Sequence, residues 1–358
     1  MTANALLCSY LGVPLDRRSF LTAARAQTPK RPVRMHVGSQ RGGDLGREHL
    51  QYFKRHGVEH IAGWPTGAAE ATLADDLARA KEQCAKEGVS LDIAVPPLLA
   101  GAPAAAILLG KDPEREREMA YLHKLVQACA SAGVPAFKYN LRVLFNVRSG
   151  KTPGRGGSSY STWKFEQVKN DPPEPGVGSV DADTFWERIT WYLDRMIPVC
   201  NEYKIRAMCH PHDPGVPKSG YKGVDRVLGT VEGLERLISI QESPYHGLNL
   251  CLGTTAEMLQ NPAEELPPVI RSFGERKKIF NIHFRNIVGR RDDFYETYPD
   301  NGDMSMPLLA ETLYEVDYPY MLMPDHMPPH PDDPGYKQAF AYGFGYIKAV
   351  LQALETRA

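Results

Sequence analysis

The fold is constrained most by a regular alternation of short apolar segments with longer amphipathic ones from residue 32 onward. The short segments are rich in β-branched and aromatic residues, so we predict strands ending in 35–37, 61–64, 91–95, 137–140, 205–209, 248–251, 279–283 and 320–323. Apolar residues at helical spacing predict helices over 47–56, 73–87, 115–132, 180–203, 231–240, 263–273, 308–316 and 342–354. Eight strand–helix units predict the α/β class and a single closed (β/α)₈ TIM barrel rather than an open doubly wound sheet.

The length of 358 residues suits one barrel domain over 32–358, preceded by a flexible leader over 1–31. Within the leader, Arg-Arg-Ser-Phe-Leu at 17–21 resembles a twin-arginine export signal. Arg25 interrupts the apolar region that should follow such a signal. We therefore predict a cytoplasmic protein, and a periplasmic location stays open if the segment is a working signal.

The charge balance excludes some partners. Lys and Arg total 42 and Asp and Glu total 43, which gives no electrostatic reason to expect nucleic acid or an anionic membrane. The uncharged segment 93–110 has the length of a membrane span, but Pro96, Pro97 and Pro103 would interrupt a spanning helix. We predict a buried strand that leads into an apolar loop there.

The last four predicted strands each end near a side chain that can bind a metal ion. These side chains are His210, Cys251, His283 and Asp325, spaced 41, 32 and 42 residues apart. The carboxyl ends of barrel strands meet at one rim, so the four side chains are expected to converge. Two imidazoles, a thiolate and a carboxylate suit Mn²⁺, Fe²⁺, Co²⁺ or Zn²⁺, whereas a thiolate disfavours Mg²⁺ and Ca²⁺. Each residue alone is more often a core residue; together they predict a divalent metal site.

Two segments interrupt the alternation. Residues 150–178, after the fourth strand, are rich in Gly, Pro, Ser and charge, which predicts an extended loop of the kind that is a lid, a binding loop or disordered. Residues 327–336, after the last strand, are rich in proline. The chain contains no G-x-G-x-x-G nucleotide-binding fingerprint.

Several motifs resemble those of the D-mannonate dehydratase family, which are metal-dependent barrel enzymes similar to xylose isomerase. The motifs are Cys-His-Pro-His-Asp-Pro at 209–214, Leu-Cys-Leu-Gly-Thr at 250–254, His-Phe-Arg at 283–285, Asn-Gly-Asp-Met-Ser-Met at 301–306, Pro-Asp-His at 324–326 and Lys-Tyr-Asn at 138–140. The resemblance covers roughly residues 33 to 350. It implies dehydration of D-mannonate to 2-dehydro-3-deoxy-D-gluconate.

The resemblance also implies roles for individual residues. Its metal ligands fall on the same four side chains as the strand-end argument, and the implied metal is Mn²⁺ or Fe²⁺. His326 and Tyr336 match residues of the acid/base type. Arg285 could hold the substrate carboxylate, although a structural salt bridge is the alternative. Four further residues suit the substrate hydroxyls, with ordinary local hydrogen bonds as the alternative: His36, Asn140, Asn301 and Asp303.

The chain departs from the family pattern outside the predicted metal ligands. His212 and Ser305 each replace an aspartate, and Met327 follows His326 where the family has glycine. The fourth strand lacks the acidic residue of the family, and Asn146 lies nearby. The metal is therefore better supported than the substrate. Our leading hypothesis is a homo-oligomeric hydro-lyase acting on a sugar acid. The alternatives are a metal-dependent sugar isomerase or epimerase, and a barrel that binds a sugar acid without converting it.

Overall fold

The apolar segments of the chain pair edge to edge as parallel strands, because each strand is covered on its outer face by the helix that follows it. The computed structural model describes residues 31–40, 45–101 and 105–357, so nearly all of the predicted leader lies outside the described residues. Along these residues the strands are β1 (His36–Ser39), β2 (His60–Gly63), β3 (Ser90–Ala94), β4 (Ala136–Asn140), β5 (Gly150–Pro153), β6 (Ser159–Lys164), β7 (Arg206–His210), β8 (His246–Cys251), β9 (Ile279–His283), β10 (Asn286–Arg290), β11 (Asp293–Thr297) and β12 (Met321–Met323).

Eight of these strands close into a parallel barrel in the order β1-β12-β9-β8-β7-β4-β3-β2. The predicted (β/α)₈ barrel is confirmed, and each of its eight strands lies within one or two residues of the predicted position. The remaining four strands form a second, antiparallel sheet in the order β10-β11-β6-β5.

Amphipathic helices surround the barrel. They are α1 (Arg47–Arg55), α2 (Leu73–Lys86), α3 (Ala106–Leu109), α4 (Glu114–Ala132), α5 (Phe165–Val168), α6 (Ala182–Tyr203), α7 (Val231–Ile240), α8 (Leu252–Ala256), α9 (Pro262–Glu275), α10 (Met306–Glu315) and α11 (Lys337–Glu355). Local sequence explains several helix starts: the side chains of Asp181 and Thr230 accept hydrogen bonds from backbone N–H groups at the starts of α6 and α7. No helix among the described residues is long and apolar enough to cross a membrane.

The second sheet shows how the predicted extension after the fourth strand is built. Residues 150–178 contain the hairpin of β5 and β6, followed by the short helix α5. β6 pairs with β11, more than a hundred residues further along the chain. Local sequence does not reveal such a pairing, because the hairpin becomes stable only when the third and fourth strands join it.

The barrel interior is filled by an apolar layer of side chains from alternate strand positions. These residues, which we call the inner layer, are Ala62, Ile93, Ala136, Met208, Phe280, Met321 and Met323. Gly38 is needed beside this layer, because a Cβ at that position would collide with the side chain of Met321. A layer of this kind makes the barrel a packed core rather than a pore.

Candidate metal centre and active site

Strand register brings the four predicted metal ligands together. His210, Cys251 and His283 are the last residues of β7, β8 and β9, and Cys251 pairs directly with His283. Asp325 follows β12 by two residues. One ligand atom from each of the four side chains lies within 4.8 Å of the others. We call these four residues the quartet; it lies at the carboxyl end of the barrel.

The protonation states of the two histidines suit metal binding. Burial lowers the pKa of His210 well below its usual value and that of His283 to about 4, so both rings are neutral at pH 7. His210 Nδ1 lies 2.7 Å from the carbonyl oxygen of Pro211 and therefore carries the hydrogen, which leaves the Nε2 lone pair for a ligand. His283 Nδ1 lies 3.0 Å from Asp325 Oδ1, yet it has no partner with hydrogen-bond geometry.

The sulfur and oxygen donors complete the set. Cys251 Sγ lies 3.5 Å from Asp325 Oδ2. Burial raises the pKa of Cys251, so a cation is needed to favour its thiolate. Burial also opposes ionisation of Asp325, but His283 and His326 outweigh it and hold the pKa of this carboxyl well below its usual value. Two neutral imidazoles, a thiol and a carboxylate, with one unsatisfied buried nitrogen, fit a divalent transition metal.

A buried ion-pair network lies directly beside the quartet, centred on Arg285. The Arg285 guanidinium lies 3.1 Å from Asp213, 2.6 Å from Glu257 and 3.1 Å from Glu296. It also lies 3.2 Å from Oδ2 of the quartet residue Asp325. The network therefore fixes the position of Asp325, one of the four candidate metal ligands.

Arg148 supplies the second cation of this network, 2.6 Å from Asp213 and in contact with Glu296. Burial opposes ionisation of both carboxyls. The two arginines nevertheless hold the pKa of Asp213 well below its usual value, and Arg148 with His326 lowers that of Glu296 to about 2. Burial and the neighbouring Asp213 raise the pKa of Glu257. The two guanidinium charges therefore favour the ionised forms of Asp213 and Glu296, whereas burial opposes ionisation of Glu257.

His326 joins the network to the open side of the site. Its Nδ1 lies 2.9 Å from Glu296 Oε2 and its Nε2 lies 2.8 Å from Arg285 Nη1. Burial disfavours the charged ring, but Glu296 and Asp325 outweigh this and raise the pKa of His326. The His326 side chain is 44% exposed, so it can reach a molecule bound at the quartet. A partly exposed imidazole with a raised pKa can donate a proton near neutral pH.

The family model for D-mannonate dehydratase (UxuA) matches residues 176–358, slightly more than half of the chain, and this stretch contains the whole quartet. The chain belongs to the D-mannonate dehydratase family. It is accordingly a hydro-lyase. Curated relatives include the mannonate dehydratase of Thermotoga neapolitana, 26% identical over 308 residues that cover 75% of this chain and 82% of the relative. The mannonate dehydratase of Geobacillus thermodenitrificans is 27% identical over 309 residues, covering 75% and 80%.

Solved structures agree on the fold. The mannonate dehydratase of Streptococcus suis serotype 2 superposes with a TM-score of 0.77 at 20% identity, covering 90% of this chain and 94% of that one. A xylose isomerase domain protein from Planctomyces limnophilus gives a TM-score of 0.57 at 12% identity, covering 91% and 100%. These likenesses establish the barrel architecture.

Arg285 does not occupy the position of a free substrate clamp. It is buried, and Nη1 and Nη2 donate to protein carboxylates, while Nη2 also donates to Thr254 Oγ1 at 2.9 Å. Its path depends on Gly253, where a Cβ would collide with the arginine side chain. The structure therefore favours the structural salt bridge, which was the alternative interpretation of this residue.

His36 is the clearest misplacement. It is the first residue of β1 and therefore lies at the amino end of the barrel, away from the quartet, where its ring contacts that of His60 at a tilt of 39°, with centroids 3.8 Å apart. The strand bounds explain the error, because the predicted strand ended at 37 whereas β1 begins at His36 and ends at Ser39. The residue of this segment that reaches the quartet is Gln40, just beyond the carboxyl end of β1. Gln40 Oε1 lies 3.2 Å from His283 Nε2.

The other predicted substrate residues divide between the site and its surroundings. Asn140 ends β4, pairs with His210 in register and donates to the Ala100 carbonyl at 3.3 Å, so it lies at the same rim. Asn301 accepts from the hydroxyl of Tyr160 on β6 at 2.8 Å, a structural hydrogen bond between its loop and the second sheet. Asp303 likewise accepts from the Gly289 N–H at 2.8 Å.

The predicted acid/base residue Tyr336 lies in the loop after β12, directly before α11, and is 38% exposed.

Sequence reasoning missed Lys138 as a site residue. This lysine is buried on β4, and its Nζ donates to Gln40 Oε1 at 2.7 Å and lies 3.5 Å from His283 Nε2. Burial lowers the pKa of Lys138 to about 8, so it remains mostly charged at pH 7. A lysine in an otherwise apolar predicted strand was the available signal, since a buried charge needs a partner.

Two departures from the family pattern have structural explanations. His212 is buried, accepts from the Leu228 N–H at 3.3 Å and hydrogen-bonds the Leu141 carbonyl, and burial lowers its pKa to about 3. It is therefore a neutral residue that joins two loops. Ser305 caps α10, where its side chain accepts from the Leu308 N–H. Neither residue contacts the quartet through these bonds.

We predict that Arg285→Met lowers the free energy of unfolding by about 3–5 kcal/mol, because it leaves buried carboxylates without their cation. Urea denaturation measures this. The control is Arg271→Met, which removes an exposed pair with Glu315 at 2.8 Å and should cost less than about 1 kcal/mol. Equal losses in the two variants would contradict a central role for the buried network.

Proposed function

We propose that this chain dehydrates D-mannonate to 2-dehydro-3-deoxy-D-gluconate, using a divalent metal, Mn²⁺ or Fe²⁺, held by His210, Cys251, His283 and Asp325. The observation that carries the proposal is the convergence of these four donors within 4.8 Å in a chain of this family. The curated relatives with matching chains are mannonate dehydratases. Mixed nitrogen, sulfur and oxygen ligands favour borderline divalent cations.

The reaction sets clear chemical requirements. A 2,3-dihydroxy acid loses the proton beside its carboxylate and the hydroxyl on the next carbon, so the site needs a base, an acid and compensation for negative charge. A bound divalent ion supplies Lewis acidity at the carboxylate end of the substrate. The protein must orient the sugar acid and hold the transferable protons at the correct atoms.

We assign the general acid to His326. Glu296 and Asp325 raise its pKa and so favour the protonated ring, and the side chain is partly exposed. Its Nε2 accepts from Arg285 Nη1 at 2.8 Å, so the ring must turn away from the arginine for Nε2 to carry a proton towards the leaving hydroxyl. Glu296 at 2.9 Å from Nδ1 orients the ring and stabilises its charged form. Tyr336, from the loop after β12, is the second acid/base candidate of the proposal.

We assign substrate anion binding to Lys138 rather than to Arg285. Nη1 and Nη2 of Arg285 already donate to carboxyl groups of the protein, whereas Lys138 Nζ has one close acceptor, Gln40 Oε1 at 2.7 Å, and lies beside His283. An ammonium group has three donors, so Lys138 can bind a carboxylate oxygen while it keeps Gln40. Asn140, at the end of the same strand, is placed to bind a substrate hydroxyl.

The first prediction of this proposal is that metal-loaded protein converts D-mannonate to a 2-keto-3-deoxy acid, detected by thiobarbiturate assay. Protein treated with a chelator serves as the control and should regain activity with Mn²⁺ or Fe²⁺. Interconversion of an aldose and a ketose without loss of water would instead support the isomerase or epimerase alternative. Tight binding of hexonates without any product, at full metal occupancy, would support a binding protein.

We further predict that Cys251→Ala and His283→Ala lose bound metal, measured by elemental analysis after dialysis. Cys129→Ala is the matched control, because Cys129 is a buried thiol on α4 outside the quartet. Binding must release the proton of the Cys251 thiol, whose pKa lies above neutrality, so metal affinity should rise about tenfold per pH unit near pH 7. Unchanged metal content in both quartet variants would show that the metal lies elsewhere.

The acid/base assignment predicts that His326→Gln and Tyr336→Phe each lower kcat by about 10²-fold or more while metal content stays unchanged. Tyr342→Phe is the matched control, because Tyr342 is a similarly exposed tyrosine on α11. Steady-state kinetics together with elemental analysis separates the two effects. If Tyr336→Phe has the turnover of the unmodified protein, Tyr336 takes no part in the mechanism.

A further inference from the structure

A second group of metal-binding side chains lies at the amino end of the barrel, on three adjacent strands. His36 on β1, His60 on β2 and Asp92 on β3 each place one ligand atom within 4.8 Å of the others. The imidazole centroids of His36 and His60 are 3.8 Å apart, and His60 Nδ1 lies 2.7 Å from Asp92 Oδ2. We call these three residues the amino-end trio.

Both histidines point to the inside of the barrel. His36 pairs in register with Met321, which belongs to the inner layer. His60 is two residues before Ala62, another inner-layer residue, and side chains two apart on a strand share a face. The two imidazoles thus lie at the amino-end mouth of the barrel, directly below the inner layer.

A bulge in β3 brings Asp92 to the same place. The register with β2 pairs Leu91 with Ile61 and then Ile93 with Ala62, so Asp92 is an extra residue without a partner. Bulges of this kind redirect a side chain at the edge of a barrel. Because of the extra residue, Ile93 keeps its place in the inner layer while Asp92 lies beside His60.

The trio is separate from the quartet and is reachable from solvent. The apolar inner layer lies between the two ends of the barrel. The His60 and Asp92 side chains are 35% and 25% exposed, so a hydrated cation can reach them through the amino-end mouth. A metal at the trio would therefore bind independently of one at the quartet.

The charges of the trio suit a cation. Burial, and then the neighbouring His60, lower the pKa of His36 to about 4, so its ring is neutral at pH 7 with a lone pair available. Burial opposes ionisation of Asp92, but hydrogen bonds from His60 and Ser90 outweigh it and lower its pKa. Two nitrogen donors and one carboxylate suit Zn²⁺ and similar divalent ions, with water in the remaining positions.

We propose that the amino-end trio is a second, structural site for a divalent transition metal that ties together β1, β2 and β3. The amino end of a barrel is its stability face, remote from catalysis. A metal that binds only the folded chain stabilises that chain, and the stabilisation grows with the logarithm of the metal concentration once the site is filled. A metal at this site would therefore act as a cross-link between the three strands.

The test titrates metal-free full-length protein with Zn²⁺ alone and measures bound zinc by elemental analysis. We expect His60→Gln and Asp92→Asn each to bind one zinc ion fewer per chain than the unmodified protein. Ser90→Ala is the matched control, because it removes a hydrogen bond to Asp92 but no ligand, and it should keep the full zinc content. Using two ligand variants keeps the test valid if one of them does not fold.

A second measurement separates this site from the quartet. In Cys251→Ala, which disables the quartet, Zn²⁺ should still raise the Tm, and adding His60→Gln should abolish that rise. Loss of zinc in Cys251→Ala alone reports on the quartet, and loss in His60→Gln alone reports on the trio. If both trio variants bind as much zinc as the unmodified protein, the proposal is wrong and the trio is only an ion pair.

Discussion

The buried guanidinium of Arg285 is the interaction on which the active end of the barrel depends. It lies within 3.2 Å of four carboxylate groups, one of which belongs to the quartet. Burying several carboxylates without cations is prohibitively costly, so these side chains can converge only because Arg285 and Arg148 lie among them. The same constraint explains the glycine at position 253, because a Cβ there would collide with the Arg285 side chain.

This network also determines how the catalytic groups behave. Glu296 contacts both arginines and His326. The arginines favour its ionised form, and its negative charge in turn raises the pKa of His326. Asp325 contacts Arg285 and His283, which keeps its carboxylate ionised at the quartet. The protonation states that dehydration requires are therefore set by residues that do not touch the substrate in our proposal.

The inner layer divides the barrel into two chemical compartments. At the carboxyl end, the quartet and Lys138 form a charged, buried site suited to a sugar acid. At the amino end, the trio forms a partly exposed site of two imidazoles and a carboxylate. The apolar layer separates the two ends, so the groups of the quartet and those of the trio make no direct contact across it.

Sequence alone determined the barrel and the four quartet residues, because both follow from local periodicity and from the rule that parallel strands end at one rim. It also pointed to the family through motifs that are continuous in the chain. Only the tertiary structure decided where Arg285, His36 and Lys138 lie and what they contact. Their surroundings come from residues far apart in sequence: Arg285 meets Asp213, and Lys138 meets Gln40. Likewise, the pairing of β6 with β11 and the bulge at Asp92 depend on strand register, which local sequence does not encode.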